Sequence, residues 1–291
     1  MTELGIIDIL IIIVNGIIEG ITEWLPVSST GHMLIFDTFV PFEATESFKE
    51  MFFVVIQLGA ILAVVTVFFK KMMPVWFERN ETISKAENGD HSRSLVVKKE
   101  VILLWVKVAI ACVPSAVIGL LFDDFLEEHF GTALPIAIML VLYGVAFIIV
   151  EKIQKDRTPK CDSIDSLTWM QALIIGGFQV LSLIPGTSRS GATIIGALII
   201  GVSRTAAAEF TFFLAVPTML GASLLKIVKF GLEFTSAEII AVLLGMAVAY
   251  AVSLVAIKFL MDFVKKHNFS VFGWYRIALG VIVAVLAFTV L

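Results

Sequence analysis

The 291 residues are 59% hydrophobic and only 16% charged, with a mean hydropathy of +0.99, whereas a soluble globular domain carries about 25% charged residues. A soluble fold is excluded. A formal net charge of −4 without a basic patch gives no reason to expect nucleic acid as a partner. Cys112 in an apolar run and Cys161 in a charged loop form neither a disulfide framework nor a metal-ligand spacing.

The first apolar stretch, Ile6 to Ile18, follows Glu3 with no Lys or Arg before it and no small-residue cleavage site after it. A cleaved signal peptide is not expected. The stretch continues to about residue 39 but is broken near its middle by Pro26-Val-Ser-Ser-Thr-Gly. Three uninterrupted runs of spanning length follow, approximately Met51–Phe69, Val101–Leu121 and Ala133–Val150. A second broken segment, 167–201, is interrupted by Pro185-Gly-Thr-Ser-Arg-Ser-Gly, and three more spans come after it at about Ala206–Val228, Glu238–Leu260 and Val271–Leu291. Barrel strands would read instead as alternating segments of about ten residues. The fold class is therefore an all-α integral membrane protein. Proline removes an amide donor and glycine permits bends, so each broken segment is expected as a re-entrant helical hairpin that returns on the side it entered.

With both hairpins re-entrant, one set of loops holds Lys70, Lys71, Arg79, Lys85, Arg93, Lys98, Lys99, Lys152, Lys155, Arg157, Lys160, Lys265 and Lys266. The opposite loops, roughly 37–50, 122–132 and 229–237, hold only Lys49 and Lys229 beside Asp123, Asp124, Glu127 and Glu128. The positive-inside rule places the first set in the cytoplasm and both termini outside. That topology exposes an inverted repeat: residues 1–150 read as hairpin plus three spans, 151–166 as a cytoplasmic linker, and 167–291 as the same order entering from the other side. An offset of 160 aligns Gly16 with Gly176, Glu19 with Gln179, Ser28 with Ser188 and Gly31 with Gly191. In inverted repeats the broken helices of both halves meet and build the site between them. The charged segments 72–100 and 151–166 are expected as solvated loops. Carboxylates, a histidine and an arginine are costly at membrane depth, so their appearance within the two breaks marks a candidate site.

Glu19-Gly-Ile-Thr-Glu-Trp-Leu-Pro-Val-Ser-Ser-Thr-Gly-His32, Ile56-Gln-Leu-Gly-Ala-Ile-Leu-Ala-Val-Val65, Pro185-Gly-Thr-Ser-Arg-Ser-Gly-Ala-Thr193, Gly201-Val-Ser-Arg-Thr-Ala-Ala-Ala-Glu-Phe210 and Phe213-Leu-Ala-Val-Pro-Thr-Met-Leu-Gly-Ala222 closely resemble the undecaprenyl-diphosphate phosphatase family, also known as bacitracin-resistance proteins. The similarity spans nearly the whole chain. It implies a multi-pass enzyme of the bacterial inner membrane that removes the terminal phosphate of the C55 isoprenoid diphosphate and regenerates the carrier lipid for peptidoglycan. Undecaprenyl diphosphate, membrane lipid and, as an option, a second copy in a homodimer are the expected partners.

The residues fit that implication. Glu19 and Glu23 are four apart on one helix face, and with a diphosphate they suit a hard divalent cation, Mg²⁺ or Ca²⁺; helix-face carboxylates in a wet vestibule are the plainer alternative. Ser28, Ser29, Thr30 and Gly31 open a helix whose free amides attract phosphate, with Ser29 as candidate nucleophile and His32 as candidate base or acid. Capping and a carbonyl-bonded histidine are the structural alternatives. Arg189 suits a bidentate clamp on phosphate or a structural ion pair with Glu19 or Glu23, and Thr187, Ser188 and Ser190 supply amides and hydroxyls around it. Arg204 and Glu209 are expected in an ion pair, and Gln57 as a link between helices. A secondary transporter or lipid flippase using the same inverted-repeat site is the competing function.

Overall fold

The computed structural model describes residues 4–79, 93–231 and 233–290; Glu3, Lys85 and Leu291 lie outside the described residues. Six helical stretches are long and apolar enough to cross a membrane, Glu46–Val67, Lys99–Phe130, Ala133–Gln154, Arg204–Phe230, Ser236–Val264 and Ser270–Thr289. All six expected spans are present. The first is two helices, α3 (Glu46–Val55) and α4 (Gln57–Val67), which join at Ile56. A short α5 (Phe69–Met72) follows, and the remaining spans are α6 (Lys99–Phe130), α7 (Ala133–Gln154), α10 (Arg204–Phe230), α11 (Ser236–Val264) and α12 (Ser270–Thr289).

The two broken segments form pairs of short helices. The first holds α1 (Ile6–Thr22) and α2 (Ser29–Phe39). The second holds α8 (Trp169–Val180), one 3₁₀ turn at Leu181–Leu183 and α9 (Arg189–Ile199). Helices of 17, 11, 12 and 11 residues stop short of the roughly 20 needed for a typical span. The sequence explains their starts as well as their ends: Thr168 accepts from the Gln171 amide at 3.2 Å while Gln171 Oε1 accepts from the Thr168 amide at 2.9 Å, a capping box, and Pro26 and Pro185 follow where α1 and α8 have ended.

The charged segment 72–100 departs from expectation. Its flanks, Val75–Arg79 (β1) and Arg93–Val97 (β2), pair antiparallel with Val75 opposite Val97 and Arg79 opposite Arg93. Val-Trp-Phe and Leu-Val-Val are β-favouring triplets, and net charge over the segment conceals them.

Packing relates the two halves. If α1, α2, α3–α4, α6 and α7 correspond to α8, α9, α10, α11 and α12, then the contact of α1 along α11 and that of α8 along α6 are one contact with the halves exchanged. α7 against α12 and α3–α4 against α10 are each a helix meeting its own counterpart. Glycines mark the close approaches. A Cβ on Gly16 would stand 2.9 Å from the Gly245 carbonyl oxygen, and one on Gly176 would collide with the Ala111 carbonyl. Between α7 and α12 the approach is reciprocal, with a Cβ on Gly144 or on Gly273 meeting the other residue's carbonyl oxygen at 2.7 Å.

That geometry separates two neighbouring glycines. Gly176→Val should drive a side chain into the α6 backbone and lower stability by about 2 kcal/mol or more. At Gly177, where nothing lies within 4 Å, the same change should be tolerated to within about 0.5 kcal/mol. Thermal unfolding of the two variants in detergent measures the contrast; equal Tm values would show that α8 does not pack on α6 as described.

Candidate active site

Each hairpin turns at a serine with a left-handed backbone. Ser28 has φ of 76° and Ser188 φ of 69°, and these are the positive-φ residues other than glycine among the described residues. They are 160 positions apart, at the N-caps of α2 and α9. Such a conformation costs a non-glycine residue roughly 1–3 kcal/mol and persists where the surroundings enforce it. Ser188 Oγ accepts from the Gly191 amide at 3.3 Å.

The turns bring an arginine of one hairpin onto a glutamate of the other. Arg189, the first residue of α9, places Nε at 3.2 Å and Nη2 at 3.0 Å from Glu23 Oε1, and gives Nη1 to the Thr211 carbonyl at 2.9 Å. Its guanidinium sits 5.9 Å over the Trp24 ring. With side-chain exposures of 9% for Arg189 and 12% for Glu23, the pair is largely withdrawn from solvent. Ser29, the first residue of α2, lines the same cavity as Glu23.

Beside the pair is a cavity of about 690 Å³. Glu19, Glu23, Ser29 and Thr30 line it together with Met33, Phe53 and Ile136, and it extends to Asp37, Glu50, Asp123, Glu127 and Lys226 on the side of the acidic loops. Two carboxylates and one guanidinium therefore stand together beside the cavity. Among the described residues no group of three His, Cys, Asp or Glu could enclose a metal. Glu19 and Glu23 fit the other common arrangement, in which one or two carboxylates and substrate phosphate oxygens share a hard cation.

The bacitracin resistance protein BacA family description matches residues 12–282. The chain belongs to this family. It is 60% identical over 280 residues to an undecaprenyl-diphosphatase of Enterococcus faecalis, covering 96% of this chain and 97% of that protein. It is 50% identical over 281 residues to the undecaprenyl-diphosphatase of Desulfitobacterium hafniense, covering 96% of each. To the undecaprenyl-diphosphatase of Streptococcus suis it is 49% identical over 286 residues, covering 97% of this chain and 98% of that one.

The family's hairpins carry the residues expected from sequence, in two tiers. Glu19, Glu23, Ser29 and Thr30 face the cavity, and Arg189 joins them through Glu23. Ser28, Thr187 and Ser190 are buried, with Ser190 Oγ 3.1 Å from Ser188 Oγ. Gly31 packs against Leu140, whose Cδ1 a Cβ would meet at 3.0 Å. His32 faces elsewhere. Its Nδ1 is 2.7 Å from the Ser28 carbonyl and its Nε2 2.7 Å from the Tyr275 hydroxyl. A carbonyl only accepts, so Nδ1 carries the proton and Nε2 accepts from tyrosine. Both nitrogens are thus engaged away from Ser29, and Glu23 is a carboxylate that lines the same cavity as that serine.

Other expectations meet new partners. Arg204 pairs with Glu151 and Glu209 with Lys71, two ion pairs rather than one. Gln57 donates to Ser223 Oγ at 3.1 Å on α10, linking helices as expected while lining the cavity. Tyr275 and Arg276 on α12 went unnoticed in the sequence. Arg276 is a lone cation in the last apolar span, and the rule that singled out Arg189 applies equally to it.

The ion pair makes a thermodynamic prediction. Arg189→Met should destabilise by about 3 kcal/mol because Glu23 is left buried beside an apolar side chain. Adding Glu23→Gln should restore part of that loss, a coupling seen only between contacting residues. Unfolding of both single variants and the double variant measures it; strictly additive losses would mean that the two side chains do not meet.

Proposed function

We propose that the protein hydrolyses undecaprenyl diphosphate to undecaprenyl phosphate and inorganic phosphate, with the reaction centred where the two hairpins meet. One observation carries this reading above all: Arg189 of the second hairpin is bonded to Glu23 of the first, and that carboxylate lines one cavity with Ser29. The undecaprenyl-diphosphatases that the chain matches over almost its full length support the same substrate.

In this mechanism Ser29 Oγ attacks the terminal phosphorus while Glu23 takes the hydroxyl proton. The bond from that phosphorus to the bridging oxygen breaks, and undecaprenyl phosphate leaves with the bridging oxygen. Water then attacks phosphoserine, and its proton returns through the carboxylate as inorganic phosphate is released and the serine restored. Arg189 exchanges part of its hold on Glu23 for the phosphate oxygens and stabilises charge on the transferring group. Thr30, Gly31 and Ser28, with Thr187, Ser188 and Ser190, shape the two helix N-termini that receive phosphate. A divalent cation, Mg²⁺ or Ca²⁺, held by Glu19 and Glu23 would offset the like charges of carboxylates and diphosphate. His32 serves by orienting the turn at Ser28 through its hydrogen bond to that carbonyl. A transporter or flippase of the same architecture would gain little from paired carboxylates beside a serine.

Ser29→Ala should lower kcat by on the order of 10²–10³ or more in a phosphate-release assay of detergent-purified protein, and chelator should suppress the wild type. Retention of more than about a tenth of turnover, a cost of only ~1.4 kcal/mol, would remove serine as nucleophile.

The same reading sets the protein in the bacterial inner membrane as two halves, 1–150 and 167–291, of inverted topology, with both hairpins re-entrant and residues 151–166 joining them in the cytoplasm. Support comes from the loop charges, the residue matches at an offset of 160 and the exchanged helix contacts. Apolar residues such as Leu120, Val228 and Val255 project from the spans toward surrounding lipid, and a second copy in a homodimer completes the expected partners. The cavity, lined by Asp37 and Glu127, then opens to the periplasm. Cysteines placed at Asp37 and Glu127 should react with an impermeant thiol reagent in intact spheroplasts, and one at Lys85 should not. The reverse pattern would invert the topology.

A further inference from the structure

Arg276 is fully buried in α12 and has no carboxylate partner among the described residues. A guanidinium withdrawn from water needs its donors satisfied, and here backbone carbonyls take both Nη groups, while Nε has no partner among the described residues. Nη1 donates to the Pro26 carbonyl at 3.3 Å, and Nη2 to the Gly186 and Thr187 carbonyls, both at 2.8 Å. The first carbonyl belongs to the break between α1 and α2, the other two to the break between α8 and α9. The Tyr143 ring, 5.6 Å from Cζ, covers the cation from α7.

We infer that Arg276 is a positioning residue for the phosphatase reaction, a clamp that sets the distance between the two hairpins. A broken helix leaves carbonyls without intrahelical donors, and within a membrane water is not there to take their place. One planar side chain supplies donors to both breaks at once, which a lysine ammonium, a compact charge on a flexible stem, reproduces poorly. Pro26 lies three residues before Ser29, and Thr187 lies two before Arg189. Holding those carbonyls on one guanidinium therefore holds the nucleophile in register with the arginine that meets the phosphate. A displacement of about 1 Å in such a pair can cost on the order of 10²-fold in rate. Arg276 is not among the residues lining the cavity, so it acts through the turns and not on the substrate.

The role rests on the phosphatase reading, and the test has two arms so that the readings fail separately. In the first arm, purified full-length Arg276→Met should show kcat for undecaprenyl diphosphate reduced about 100-fold with KM within about threefold, and Arg276→Lys, which retains the charge, should lose only about 10-fold. In the second, spin labels are placed at Phe39 and Leu181, both exposed, in a background with Cys112 and Cys161 changed to alanine. The label-to-label distance distribution should be narrow in the wild type, broad in Arg276→Met and intermediate in Arg276→Lys. If the methionine variant does not fold, the lysine variant carries both measurements. Wild-type kcat in the variants, a loss confined to KM, or an unchanged distance distribution would each overturn the clamp. A wild type that releases no phosphate would overturn the reaction and leave the distance measurement to decide Arg276.

Discussion

The structure depends on how an interrupted helix satisfies its backbone polar groups away from water. An intact span needs no outside partner, since each amide and carbonyl pairs within the helix, but each break frees several of them, and an unpaired group in hydrocarbon costs several kcal/mol. Side chains fill the vacancies here. Arg276 takes carbonyls from both breaks, His32 takes the Ser28 carbonyl and Ser188 receives the Gly191 amide. Polar groups that would be liabilities in a plain span become the means of building one, and the reactive set is assembled from chain positions more than 150 residues apart.

The two halves diverge where chemistry requires it. Gly16 presses on α11 and Gly176 on α6, and Ser28 and Ser188 both turn with positive φ. Glu19 and Gln179 occupy equivalent places with different fates. Gln179 donates to Ser115 Oγ at 2.6 Å and to Thr218 Oγ1 at 3.3 Å, each next to the proline inside its helix, Pro114 or Pro217. A neutral amide closes that network without a counter-charge. Glu19 instead faces the cavity. The first broken segment thus carries the carboxylates, and the second contributes the arginine and a sealed polar seam.

Much of this was legible in the chain itself. Span positions followed from apolar run length, and the breaks from Pro and Gly within those runs. What escaped were matters of direction and partner. Sequence left Arg189 between Glu19 and Glu23, which lie on one face, and only the helix end selects Glu23. His32 follows Ser29 by three residues and was a reasonable base for it, but one helical turn points the ring toward α12 and Tyr275. Arg276 was concealed by averaging, because one cation in twenty apolar residues scarcely lowers hydropathy. Arg204 and Glu209, five apart on one helix, each reached a different helix for a partner.

The mouth of the cavity has an ionic character of its own. Asp37, Glu46, Glu50, Asp123 and Glu127 face Lys49 and Lys226 there, five carboxylates against two ammonium groups. Within a screening length of about 8 Å at physiological salt, that imbalance enriches cations and depletes free multivalent anions. Lys229, bonded to Asp123 at 3.2 Å, offsets part of that charge, and the bias of the rim fades as ionic strength rises.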